Sequence, residues 1–132
     1  MFTTDAFDYI NIMDKAADAS WLRENVIANN LANVDTPGYK RQDVAFSGIL
    51  ERELGKGKYT QTLAKRVRGM NTRLDDLSVE SYTDAANYSY RLDKNNVDVD
   101  TENVELASEQ LKYQLLTNSI SSEFKRLQTV LK

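Results

Sequence analysis

From about Thr4 to Val34 the chain carries neither proline nor glycine, and its residues recur with the period of an α-helix. Ile10, Met13, Ala17, Ser20, Glu24, Ile27, Leu31 and Val34 alternate steps of three and four, close to a heptad seam. Ala6, Ala16, Ala28 and Ala32 widen that stripe, and Trp21 stands beside it. A helix of this extent is ~45 Å long. Its seam is lean, with small residues in the middle, so it does not hold itself in water and needs partners along its length.

The stretch has a sharp stop. Asn33-Val34-Asp35-Thr36-Pro37-Gly38-Tyr39 joins an Asn/Asp pair to a proline that drives Thr36 out of helical conformation and a glycine free to take positive φ. Val44, Phe46, Ile49 and Leu50 supply a short apolar patch before the pattern dissolves. Alternation at Val79, Ser81 and Thr83, at Tyr88 and Tyr90, and at Val97 and Val99 predicts one or two short strands between loops. Asp100 is the expected N-cap of a final helix, with Glu102 and Glu105 in its first turn. That helix has two adjoining apolar stripes, Val104, Ala107, Leu111, Leu115 and Tyr113, Leu116, Ile120, Phe124, Leu127, Leu131, and so calls for two sets of neighbours. The expected organisation is an N-terminal helix over 1–35, an irregular middle with short β-strands over 36–99, and a C-terminal helix over 100–132. The fold class is mainly α, the two long helices packing between molecules as a coiled-coil-like layer.

The chain has no Cys and no His among its 132 residues, which removes thiol nucleophiles, Cys-ligated metals and any Ser-His-Asp triad. At 41% hydrophobic and 28% charged it is not of disordered composition. Its apolar runs, such as Val26-Ile27-Ala28, are far shorter than a spanning helix needs. No direct membrane span and no cleavable signal peptide are expected, since the start lacks a basic region and Asp5, Asp8 and Asp14 interrupt its apolar residues.

The remaining motifs carry little chemistry. Asn96-Val97-Asp98-Val99-Asp100-Thr101-Glu102 has the look of a calcium loop, but it lacks the glycine at its sixth position and has Ala107 at its twelfth. A strand end running into a helix cap accounts for it. Gly55-Lys56-Gly57 lacks the third glycine of a phosphate-binding turn, with Thr60 in its place. Asp75-Asp76 and Glu51/Glu53 have nothing nearby to raise a carboxylate pKa, so no catalytic, cofactor or metal site is expected. The six basic residues between Lys56 and Arg73 are dilute in a chain of net charge -3, and read as a solvated loop or a patch facing an acidic protein. Two rival readings use these features: a cytoplasmic helical adaptor or chaperone sharing the amphipathic ends, and a nucleic-acid module on the basic stretch.

Ala28-Asn29-Asn30-Leu31-Ala32-Asn33-Val34-Asp35-Thr36-Pro37-Gly38-Tyr39-Lys40-Arg41 closely resembles the signature of the bacterial flagellar axial proteins, which form the rod, hook and hook–filament junction. The short length, the turn without insertion, and Asn96 to Glu102 running on to Ala107, Leu111, Lys112, Tyr113 and Gln114 resemble the proximal rod branch of that family. The resemblance covers both terminal thirds. It implies a structural subunit of the basal body rod, not an enzyme, with no cofactor and no nucleic acid. It further implies export through the flagellar type III apparatus and helical assembly with itself, other rod proteins, and a FliE-type base protein at the export gate. Early export substrates often carry a Phe followed four residues later by an aliphatic residue; here Phe2 precedes Ala6 and Phe7 precedes Asn11, so no gate contact is assigned. The implied subunit interface comprises Ile27, Asn29, Asn30, Leu31, Asn33, Val34, Pro37, Gly38, Tyr39, Leu111, Tyr113, Gln114, Leu116, Ile120, Phe124 and Leu127. For Asn29, Asn30 and Asn33 two roles stay open, capping the helix end or bonding a neighbouring subunit, with Asn33 the better cap.

Overall fold

The computed structural model describes residues 3–55, 62–71, 77, 79–84 and 95–131. In chain order these form α1 (Thr3–Ala32), β1 (Gln42–Val44), α2 (Phe46–Gly55), α3 (Leu63–Asn71), β2 (Ser81–Thr83) and α4 (Val99–Val130). The two long helices pack against each other along most of their length, inside one chain. The side chains that touch fix their sense. Asn30 meets Glu102, Ser20 meets Glu109, and Phe7 shares a cleft with Phe124 and Leu127. Numbers rising along α1 therefore meet numbers falling along α4, so the pair is antiparallel.

The α1 face turned to this seam is the stripe expected from the spacing: Ile10, Met13, Ala17, Ser20, Glu24, Ile27 and Leu31 are all buried or half-buried. On α4 the inward row is Glu102, Leu106, Glu109, Tyr113, Leu116, Ile120, Glu123 and Leu127, again at heptad steps of three and four. The first partner for each lean helix is thus the other helix of the same chain.

A second face of α1 carries the middle of the chain. Ala19 and Val26 join Val44 and Phe46 in a small core, with Ala16, Leu22, Leu50 and Val79 packed on it. β1 and β2 pair antiparallel, Gln42 opposite Thr83 and Val44 opposite Ser81, and Asp84 N–H donates to Arg41 O at 2.8 Å to extend the ladder. The strand expected around Ser81 is present, and its partner comes from 42–44. Tyr88 and Tyr90 lie outside the described residues, while Val97 is buried outside any strand and Val99 opens α4. The middle also holds two helices that were not expected. Phe46, Ile49, Leu50 and Leu54 have helical spacing in α2, and its Glu53, expected in polar surroundings, is buried. In α3, Val67 is buried on one side of a basic turn whose Arg68 lies 3.7 Å from Asp8 of α1. Lys65, Arg66 and Arg68 of the expected basic loop are therefore helical, and Lys56 and Lys58 lie outside the described residues.

The cap of α4 also differs from expectation. Asp98, not Asp100, is the N-cap: its backbone is extended and its carboxylate accepts from Asp100 N–H at 3.1 Å and Thr101 Oγ1 at 2.8 Å. Those bonds hold the Asp98 carboxyl below its ordinary pKa, Thr101 contributing most. Asp100 falls in the first turn beside Glu102, where the helix dipole favours negative charge.

Candidate functional site

Asn30 sits in the last turn of α1 with none of its surface exposed. Its Nδ2 donates to Gln42 O at 2.8 Å and to Glu102 Oε2 at 3.0 Å. Its Oδ1 accepts from Gln42 N–H at 3.0 Å and from Tyr39 Oη at 3.1 Å. One side-chain amide thus pairs both backbone groups of Gln42, as a neighbouring strand would, while fastening β1 and α4 to the end of α1. Asn33 donates from Nδ2 to Asn29 O at 2.8 Å and so caps the helix, and Asn29 itself is exposed. Of the two roles left open for the three asparagines, capping describes Asn33; Asn30 instead binds within the chain.

The turn that follows is held by the segment just ahead of α4. Gly38 has φ +76°, the left-handed region that glycine enters without strain. Asn95 donates from Nδ2 to both Val34 O and Thr36 O, at 2.9 and 2.8 Å, and Asn96 Oδ1 accepts from Arg41 N–H at 2.7 Å. Pro37 and Gly38 are exposed at the apex, whereas Tyr39 is half-buried. Burial, then the charge of Glu102, raises the Tyr39 pKa.

Beside Asn30 lies an ionic clasp. Arg23 of α1 donates from Nε to Asp43 at 2.8 Å and from Nη1 to Glu109 at 2.6 Å, and its Nη2 lies 2.8 Å from Glu105. Arg41 donates to Glu102 and, at 3.0 Å, to Asp43. Ser20 Oγ donates to Glu109 at 2.8 Å, and Lys112 reaches the same carboxylate at 3.3 Å. The hydrogen bond to Asp43 does most to raise the Arg23 pKa, Glu109 adding to it against the cost of burial. Burial alone would lower Arg41, but Glu102 and then Asp43 outweigh it and the net shift is upward. Burial alone would raise Asp43 and Glu109. The net shift of each is downward, because Arg23 and the Val44 N–H hold Asp43, and Ser20, Arg23 and Lys112 hold Glu109. Desolvation offsets much of the attraction in such a network, so it adds less stability than an apolar seam of equal volume. What it does is tie three elements at one place: Arg23 of α1 and Arg41 share Asp43 of β1 while reaching Glu105, Glu109 and Glu102 of α4.

Among the described residues no group of carboxylates is arranged to hold a metal ion, and the acids near the clasp face guanidiniums. Among the same residues, no helix is long and apolar enough to cross a membrane.

Away from the clasp, α4 turns one of its two apolar stripes outward. Val104, Leu111 and Leu115 are 70%, 67% and 67% exposed, with Ala107 exposed between them. From Val104 to Ser122 this outer row, which includes Gln114 and Asn118, carries no charge.

Comparison with known proteins shows the family to which the chain is similar. The family of flagella basal body rod proteins matches residues 16–40, the end of α1 and the turn after it. The flagellar basal body rod protein FlgB of Bacillus subtilis is 35% identical over 122 residues, 92% of each chain. FlgB of Borrelia hermsii is 34% identical over 130 residues, covering 93% of this chain and 95% of its own. FlgB of Escherichia coli K12 is 30% identical over 115 residues, covering 83% and 82%. The chain belongs to the FlgB family.

It is accordingly a structural subunit of the flagellar basal body rod. Within this FlgB-family chain the residues named from the resemblance divide three ways. Ile27 is buried, and Leu31, Val34, Tyr113, Leu116, Ile120 and Leu127 are half-buried, most of them along the α1–α4 seam. Asn30, Asn33 and Tyr39 hold the signature turn together. Asn29, Pro37, Gly38, Leu111, Gln114 and Phe124 are exposed. The sequence reading missed Arg23, Asp43, Glu102, Glu105, Glu109 and Asn95. Its one available signal was the row of glutamates at seven-residue spacing, Glu102 and Glu109, which the apolar stripe beside them overshadowed.

Proposed function

We propose that the chain builds its layer of the rod by setting α1–α4 hairpins side by side in a helical tube, self-contacts being head-to-tail and non-closing. Residues 1–35 and 100–132 act as the inner helical layer, and 36–99 as the outer, subtype-specific segment. The tube joins the membrane ring to the next rod proteins and transmits torque. A FliE-type base protein and the export gate lie at its proximal end, and the subunit reaches them through the flagellar export apparatus.

The observation that supports this reading is the uncharged outer stripe of α4, Val104–Ala107–Leu111–Leu115, which has no partner within the described chain. Two apolar stripes on one helix called for two neighbours, and α1 supplies only the first. Electron microscopy of basal bodies from a strain with this gene deleted tests the proposal. Membrane rings without rods, restored by complementation, are expected; intact rods and filaments would overturn it.

A further inference from the structure

On the flank of α1 that faces α2 lies an apolar groove of about 600 Å³. Ala16 and Ala19 form its floor, Leu50 and Leu54 of α2 one wall, and Leu115 and Leu116 of α4 the other. Leu115 belongs both to this wall and to the outer stripe, so groove and stripe are one continuous surface. Lys112 and Arg66 add positive charge to its lining beside Arg23, which is held by Asp43, Glu105 and Glu109; Glu109 is engaged by Ser20, Arg23 and, at 3.3 Å, Lys112, and Glu51 is exposed.

On the other flank stands Trp21, the chain's single tryptophan, 58% exposed. It follows Ala19 by two residues, hence about 200° round the helix. Asp14 and Asp18, both exposed, lie on the same face within two turns of it. Contacts of Ser20 with Glu109 and of Glu24 with Gln110 bracket Trp21, so it stands at the height of the groove floor. A bulky aromatic with two carboxylates beside it is thus matched by an apolar slot with two cations, at the same height on opposite flanks.

We infer that Trp21 of one copy seats in the α2–α4 groove of the next, with Asp14 and Asp18 toward Lys112 and Arg66. This rests on the rod-subunit reading and assigns the pair of surfaces through which it works. Knob and slot lie on different faces, so the contact is heterologous, and it repeats with little axial displacement between neighbours, as a tube of side-by-side hairpins requires. Buried tryptophans at the centre of a contact are the residues whose loss most weakens it.

The test uses the purified full chain. Trp21 emission shifts to the blue as the wild-type protein self-associates, and Trp21→Lys weakens that association by about 30-fold or more while far-UV circular dichroism is unchanged. Leu54→Lys blocks the groove and does the same. Mixed one to one, the two variants form a dimer and nothing larger, because one keeps the slot and the other the knob. Asp18→Lys, at an exposed position, weakens association several-fold while far-UV circular dichroism is unchanged. Association of Trp21→Lys at wild-type strength, no dimer on mixing, or a blue shift that appears only on adding a different rod subunit would overturn the assignment. In the deletion strain, Trp21→Lys restoring normal rods would sink this contact and leave the rod reading standing. Rods in the deletion strain itself would sink both.

Discussion

Replacing Asn30 by Ala removes four hydrogen bonds at one buried point. Tyr39 is half-buried and can turn its hydroxyl to water, so its bond adds little to the loss. The other three serve Gln42 N–H, Gln42 C=O and Glu102, and alanine leaves those groups short of a partner. At about 1 kcal/mol for each net bond, the variant loses roughly 3 kcal/mol, with more if water does not reach the vacated site. In a domain stabilised by about 5–15 kcal/mol that is a large share, and the melting temperature falls on the order of 10 °C. Urea unfolding followed at 222 nm measures it, with Asn29→Ala as the exposed control expected within about 0.5 kcal/mol of wild type. Asn30→Asp sharpens the test by placing a second carboxylate 3.0 Å from Glu102 at neutral pH. Its deficit exceeds that of alanine at pH 7 and shrinks as the solution is acidified. Asn30→Ala unfolding within about 1 kcal/mol of wild type would refute the idea that this amide pins β1 and α4 to α1.

Acid provides a second probe. Asp43 and Glu109 have folded pKa values below their unfolded ones, so their contribution is complete above the ordinary carboxylate range and is lost as pH falls through the folded values. The urea midpoint should therefore drop as pH falls below the ordinary carboxylate range, and less so in Asp43→Asn or Glu109→Gln proteins, whose midpoints are already low at pH 7. Gly38→Ala meets no atom within 4 Å but must hold φ +76°, so it destabilises by about 1 kcal/mol through the backbone alone, readable in the same unfolding assay. Leu31→Asp or Leu127→Asp puts a charge into the half-buried α1–α4 seam. Each should abolish motility in a complementation assay while the protein still accumulates, and swimming at wild-type speed would remove that seam from the assembly.

The asparagines show where reading by pattern runs out. Their crowding at a helix end is plain in the chain, and capping by Asn33 follows from its place alone. That Asn30 closes on Gln42 and Glu102 depends on a strand twelve residues later and a helix seventy-two residues later, and no local spacing encodes either. On α4 the stripe Tyr113, Leu116, Ile120, Leu127 faces α1, and only its upstream continuation through glutamates was not legible. Val104, Leu111 and Leu115 are the apolar residues there and stay exposed, whereas the row that faces α1 begins Glu102, Leu106, Glu109. Buried carboxylates cannot be told from surface ones until their arginines are in place. The helices α2 and α3 escaped notice because each spans only about three turns, with few apolar residues to set a period.

The linear sequence by itself determined the two long helices, the stop at Thr36-Pro37-Gly38, the two apolar stripes of α4 and the family. All of these rest on residues close together along the chain, where helical periodicity and backbone preference act directly. Only the tertiary structure decided that the first neighbour of α4 is α1 of the same chain, in antiparallel sense and in one register. It alone decided which stripe remains outside. Both outcomes turn on Arg23 and Arg41 meeting carboxylates from β1 and α4, since charge pairs across the fold are set by where the backbone brings them and leave no period in the sequence.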